Sequence, residues 1–357
     1  MVKVYASLFH ILSCVISGAE VDWNLFCDFD VKDWERLYLL SKSQGVVAIV
    51  FDKVKGVPKQ YAPPRSVSFR WLSHSFSIEE QMKTKESTAI EFAERLYDKG
   101  LSVVVLKGLA YASYYPNPYQ RESGDLDCFM LGKKEQGDRE AAQIGATVKP
   151  AGYKHSHIYY KGLTIENHNY ITSFDSTKLG VKTERLLQSL IADGCRPIDG
   201  TKLLNPSADF NAMFLIKHAQ RHFIREGICL RHVLDWAFFL QRESENVNWD
   251  SVLTMMEQCR ILKFAQLLTS ICVDRLGMTV RVDGLSGWPN AMSELFVDDI
   301  LAPQPDLFHE NIIQKAGRIL RRFCRMWRFR GVADESYCRL VWNSIAFSSY
   351  FKREPKL

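Results

Sequence analysis

The chain has 357 residues, 46% hydrophobic and 24% charged, with 46 lysines and arginines against 41 aspartates and glutamates for a net charge of +5. That length can bury a sizeable core without staples, and the composition excludes a disordered or fibrous chain, while the mild positive charge fits a phosphate-bearing partner. Nine cysteines, at 14, 27, 128, 195, 229, 259, 272, 324 and 338, form no Cys-x-x-Cys pair, which argues against a disulfide framework and a structural zinc site.

The first 17 residues are apolar in patches broken by Lys3 and His10, with no convincing cleavage site behind them, so they read as a buried helix. Trp34, Leu37 and Leu40 fall at helical spacing within Asp33–Ser43. After a break at Pro58–Pro64, a helical pattern runs from Arg65 to about Asp98 through Phe69, Leu72, Phe76, Ile78, Met82, Ile90, Phe92 and Leu96, as one helix or two in series. Gly100 stops it. Leu101–Leu106 is β-branched, mostly apolar and too short for a helix, so a buried strand is expected there. Leu109–Tyr114 and Lys133–Ile144 look helical, Leu126–Leu131 reads as a second strand, and Tyr153–Tyr160 with Leu163–Tyr170 reads as a hairpin turning at Lys161-Gly162. Helical periodicity returns from Thr177, with loops expected at Gly194–Pro206 and Val280–Pro289.

The expected fold class is therefore α+β: an N-terminal helical region (1–100), a small mixed-sheet core (101–175) and a larger C-terminal α-helical domain (176–357). No apolar run reaches the ~18 residues of a bilayer span. With the cysteine usage, this predicts a protein of the reducing cytoplasm.

The chemistry concentrates in Lys107-Gly108 and in Arg121-Glu122-Ser123-Gly124-Asp125-Leu126-Asp127. Aspartates one residue apart on a strand point to one face, leaving Leu126 for the core. Such a pair suits a hard divalent cation, Mg²⁺ or Mn²⁺, which takes one or two carboxylates together with substrate phosphates. Glycine at 108 lets the backbone approach a phosphate, Lys107 adds a full charge, and the guanidinium of Arg121 can clamp a phosphate in bidentate fashion. Glu166 lies in a strand-like stretch and is the candidate third acid, as metal ligand or general base.

These residues resemble a known pattern. Strand-Lys-Gly, then Arg-x-Ser-Gly-Asp-Leu-Asp, then Ile-Glu-Asn-His, with a downstream His-x-x-x-His and Leu-Arg-His-x-x-Asp-Trp, looks like the polymerase-β-type nucleotidyltransferase superfamily. More narrowly it resembles a bacterial group of uncharacterised nucleotidyltransferases and is similar to the catalytic part of AbiEii-type toxins. The resemblance covers about Leu101–Leu240. It implies Asp125, Asp127 and Glu166 as metal ligands, with Lys107, Gly108, Arg121 and Ser123 contacting a nucleoside triphosphate. It also implies a cleft lined by His168, His218, His222, Arg231 and Asp235, where a purely structural hydrogen-bond network is the alternative. The chain departs from many members in having Leu109 where they carry a small residue after the glycine.

The implied activity is metal-dependent transfer of a nucleoside monophosphate to a hydroxyl or phosphate acceptor. The alternatives are toxin-like transfer to RNA or protein, or a catalytically silent nucleotide-binding scaffold with the same fold. His218 and His222, four residues apart, share one helix face and would suit a transition metal or a core network. Lys315 to Arg330 carries seven basic residues and no acid over an apolar stripe of Ile312, Ala316, Leu320, Phe323 and Trp327. It reads as an amphipathic helix whose basic face is either solvated or a grip on nucleic acid.

Overall fold

Three successive valines with no polar side chain suit only a strand covered on both faces, and β1 (Val103–Val105) is completely buried at the middle of a sheet. In the computed structural model, residues 2–172, 177–192, 194–286, 290–302, 312–333 and 335–345 are described. The sheet also contains β2 (Leu126–Phe129), β3 (Thr147–Ala151), β4 (His155–Tyr160), β5 (Leu163–His168), β6 (Cys195–Pro197) and β7 (Leu203–Pro206). Their order is β3-β4-β5-β2-β1-β7-β6. The β2–β5 and β1–β7 pairs are parallel and the others antiparallel.

The stretch 194–206, read from sequence as a loop, thus supplies two strands. Each is three or four residues long and holds a proline, so neither carries an alternating pattern that could be read locally. β7 becomes a strand because Val103 and Val104 present an unpaired edge to Leu203 and Leu204.

Among the described residues, helices surround this sheet. The N-terminal region forms α1 (Val2–Ser17), α2 (Val31–Ser43), α3 (Val47–Val54) and α4 (Arg65–Tyr97), the last a single unbroken helix. Val67, Trp71, Ile78 and Met82 give α4 its buried stripe, whereas Phe69, Leu72 and Phe76, counted from sequence in the same pattern, lie on the opposite side in solvent. Further along, α5 (Leu109–Ala112) is one turn and α6 (Lys134–Gln143) lies on the sheet. Asn167 and Ser156 both bond Asp138 of α6, and Phe92 of α4 packs on Tyr160, so α4 and α6 cover the same face of the sheet.

α7 (Lys178–Ala192) precedes the β6–β7 pair, and α8 (Ala208–Arg225), α9 (Leu230–Glu243), α10 (Trp249–Gln258), α11 (Leu262–Asp274), α12 (Asn290–Leu301), α13 (Ile312–Arg328) and α14 (Tyr337–Ile345) follow it. The stretch 280–286 is without helix or strand, as expected, and 287–289 fall outside the described residues. No described helix is long and apolar enough to cross a membrane.

The basic helix exists as α13, but its buried side differs from the expected stripe. Met326 and Phe329 enter the core, Leu320 and Trp327 stay exposed, and Arg325 is buried on Asp299 at 2.6 Å over the ring of Phe223. A core ion pair claims one of the cations that periodicity had assigned to the solvent face.

Gln44, at the end of α2, ties the distant parts together. Its side chain accepts from the Leu230 amide at 2.9 Å and donates to the Ile300 carbonyl at 3.0 Å, while its own carbonyl accepts from the Arg231 amide at 3.2 Å. It thereby satisfies two amides at the N-terminus of α9 that have no partner within that helix.

Candidate active site

Parallel register sets Asp127 of β2 directly beside Glu166 of β5, so their side chains leave the same face of the sheet, opposite α4 and α6. Asp125, two residues before Asp127, joins them. A cleft of about 160 Å³, open to solvent, is lined by Lys107, Gly108, Arg121, Ser123, Gly124, Asp125, Asp127, Glu166, His218, Arg231, His232 and Asp235. All seven residues expected to bind metal or nucleotide therefore meet in one place. Three of the five expected at the cleft wall meet them there. His168 lies behind the carboxylates, and His222 is turned towards Glu226 at 3.3 Å.

Asp127 is buried, and the ammonium of Lys107 and Nε2 of His168 approach its Oδ1 at 3.0 and 2.9 Å. Burial would raise its pKa, but the His168 hydrogen bond and Lys107 outweigh it and hold the carboxyl well below the usual range. Nε2 of His168 also lies 3.3 Å from Glu166, and its Nδ1 faces the Tyr170 carbonyl at 3.1 Å. The His168 bond likewise holds Glu166 below its ordinary value, against its own burial. Asp125 behaves oppositely: burial, then repulsion from Glu166 and Asp127, push its carboxyl up.

A cluster of oxygen donors whose outermost member is under like-charge stress fits a hard divalent cation, which would relieve that repulsion. Asp125, Asp127 and Glu166 are the residues that could hold it.

Gly108 has φ 66° and ψ −105°, a backbone conformation open essentially to glycine, and a Cβ there would stand 2.9 Å from the Ser123 hydroxyl. The helix behind it is a single turn, so the local amides, rather than a long helix dipole, are what this turn can offer an anion. The Arg121 side chain takes the opposite direction from a free phosphate clamp. Its Nε and Nη2 donate to the two Asp235 oxygens at 2.7 and 2.8 Å, and Nη1 donates to the Gly108 carbonyl at 3.3 Å. Tyr115 adds a third donor to Asp235 at 2.7 Å. Asp235 remains ionised although buried, because Arg121 more than offsets its desolvation.

From the same helix, Arg231 donates to the Glu122 carbonyl at 2.6 Å. α9 is in this way bonded directly to Arg121 and Glu122, and through Arg121 to the Gly108 carbonyl. Burial pushes His218 well below the ordinary histidine value and His232 down to about 3, so both are neutral at pH 7.

Several nearby residues escaped sequence reasoning. Lys85 of α4 donates to the Ser123 carbonyl, and burial lowers its pKa. Burial and the neighbouring Lys107 push Lys154 down to about 8. His155 and His157 stand on β4 beside Glu166, and burial holds His155 down to about 4. The two histidines were within reach of the sequence: a hairpin turning at Lys161-Gly162 pairs position 157 with 166 and 155 with 168, as observed. Lys85 and Lys154 carry no local signal.

The model of a family described as uncharacterised nucleotidyltransferase matches residues 30–277, from the start of α2 to just beyond α11. That span is wider than the Leu101–Leu240 stretch that carries the motifs, and it takes in Gln44, which anchors α9. No curated protein and no solved structure matches the chain.

Proposed function

Because the chain belongs to the uncharacterised nucleotidyltransferase family, whose match takes in more than half of it, we propose that its cleft binds a nucleoside triphosphate with Mg²⁺ or Mn²⁺ and transfers the nucleoside monophosphate to a hydroxyl or phosphate acceptor, releasing pyrophosphate. The observation that carries this reading is the meeting of Asp125, Asp127 and Glu166 with the Lys107-Gly108 turn and Ser123 in one cleft. When bound at the three carboxylates, a divalent cation neutralises charge on the transferring phosphoryl group and favours the deprotonated acceptor.

The chain's own side chains do the rest. Lys107 holds a fixed positive charge at the edge of the carboxylate cluster, and the Gly108 turn with the Ser123 hydroxyl offers donors to phosphate oxygens. His168 orients Asp127 and Glu166 through one ring nitrogen and is itself held by the Tyr170 carbonyl through the other. Glu166, kept ionised, is placed to accept the acceptor's proton. Arg121 acts on the turn from behind: with Asp235 it fixes the Gly108 carbonyl, so the guanidinium is a strut of the phosphate turn rather than its floor.

The test uses triphosphates labelled at the α-phosphate, with small-molecule, RNA and protein acceptor fractions. Wild type is expected to move label into an acceptor with release of pyrophosphate. The Asp125→Asn/Asp127→Asn variant is expected to lose transfer while keeping its circular dichroism. Unchanged turnover in that variant would refute the mechanism, and tight triphosphate binding without product from any acceptor would favour the silent scaffold.

A further inference from the structure

The sheet face that carries Asp127 and Glu166 also carries a nitrogen-rich cluster that nucleotidyl transfer does not call for. His155 and His157 occupy alternate positions on β4, so both rings leave the same side, and the hairpin register sets them opposite His168 and Glu166. Their Nε2 atoms lie 3.2 Å apart, and each is 3.6 Å from Oε1 of Glu166. These three atoms form a triangle whose edges are close to the roughly 3.3 Å between neighbouring ligands of a tetrahedral ion bound at about 2.0–2.1 Å.

The remaining geometry is of the same kind. The polar contacts of the His155 ring are both made by Nε2, at one corner of the triangle. His168 joins from the other side of Glu166, and ligand atoms of His155, Glu166 and His168 all lie within 4.8 Å of one another. His168 is held by the Tyr170 carbonyl at Nδ1, and its Nε2, 3.3 Å from Oε2 of Glu166, steadies that carboxylate beside the triangle. The side chain of His157 is 34% exposed, which leaves a way in from solvent.

We propose that His155, His157 and Glu166 form a binding site for a transition-metal dication of the Zn²⁺ type, adjoining the oxygen site at Asp125 and Asp127 and sharing Glu166 with it. Imidazole nitrogens suit zinc, cobalt and their neighbours, whereas Mg²⁺ favours oxygen ligands, so the two sites differ in the ions they select. Three protein ligands leave a fourth position for water or a substrate oxygen. The site stands on the positions of these side chains and does not depend on what the cleft transfers.

The experiment strips the full-length protein of metal and titrates it with Co²⁺ in the presence of excess Mg²⁺. One equivalent is expected to bind with the intense visible bands of tetrahedral cobalt. Those bands are expected to persist in Asp125→Asn and to vanish in His155→Ala/His157→Ala. Bands that survive removal of both histidines, that vanish with Asp125→Asn, or that never appear in wild type would overturn the proposal. Pulsed electron paramagnetic resonance on Cu²⁺-loaded protein adds a variant that keeps all three ligands: coupling to two imidazole nitrogens that persists in His218→Ala/His222→Ala supports the site, and its absence from wild type or its loss in that variant overturns it. Both readouts measure binding, so a protein without transferase activity could still pass them, and an active transferase could still fail.

Discussion

Replacing Asp235 with alanine probes the contact that joins the two halves of the cleft. Arg121 and Asp235 are both nearly inaccessible, 6% and 3% exposed, and the carboxylate accepts two guanidinium hydrogen bonds of 2.7 and 2.8 Å and one from Tyr115 of 2.7 Å. Asp235→Ala strands both guanidinium donors, leaves Tyr115 only the Arg231 carbonyl at 3.5 Å, and leaves an uncompensated buried cation, a loss of about 3–5 kcal/mol. Against a total stability of about 5–15 kcal/mol, that is a fifth of the whole at the least. In a urea titration with a slope near 3 kcal/mol/M, the midpoint would fall by about 1 M or more. Arg121→Ala is expected to cost a similar amount by stranding the carboxylate.

The double variant removes both charges, so it is expected to be more stable than the sum of the single losses predicts, by about 2 kcal/mol or more. Additivity to within about 0.5 kcal/mol would refute the coupling and with it the assignment of Arg121 as a strut. A readout at the turn follows from the Arg121 bond to the Gly108 carbonyl. Arg121→Lys, which keeps the charge but loses the fork, is expected to raise the KM for triphosphate more than it lowers kcat.

Asp125→Asn is expected to melt no lower than wild type in metal-free buffer at pH 7, because a carboxyl whose pKa is raised on folding disfavours the folded state once ionised. The advantage should disappear as pH falls below the ordinary carboxylate value, and a metal-free variant that melts well below wild type at pH 7 would contradict the like-charge stress. Gly108→Ala forces a side chain into a conformation that costs about 1–3 kcal/mol and sets its Cβ 2.9 Å from the Ser123 hydroxyl. Lower stability in urea together with weaker triphosphate binding by calorimetry is the expected result. His232 is held neutral by burial down to about 3, so the stability it contributes is complete above pH 6.5 and drains away as pH falls towards 3. Thermal melts across that window should show a shallower acid slope for His232→Gln than for wild type.

Much of the geometry of the candidate site could be read from short stretches because it obeys local rules. Side-chain alternation puts Asp125 and Asp127 on one face, glycine at 108 marks a positive-φ turn, and a two-residue hairpin at Lys161-Gly162 fixes which β4 residue meets Glu166. Helix over 65–98, as one segment or two, and the buried β1 were legible as well, since period and β-branching act within a few residues, although the pattern also counted the exposed Phe69, Leu72 and Phe76.

What periodicity misjudged was decided by partners distant in sequence. Strands β6 and β7 exist because β1 has an edge to offer. Arg325 turns inward because Asp299 waits 26 residues away. The guanidinium of Arg121 is taken up by a carboxylate because α9 brings Asp235 across a separation of 114 residues. The sequence alone determined which residue types the candidate site contains and which way their strands face. Only the tertiary structure decided which charges remain available, since a buried ion must be paired, and its partner is supplied by the packing rather than by the neighbouring residues.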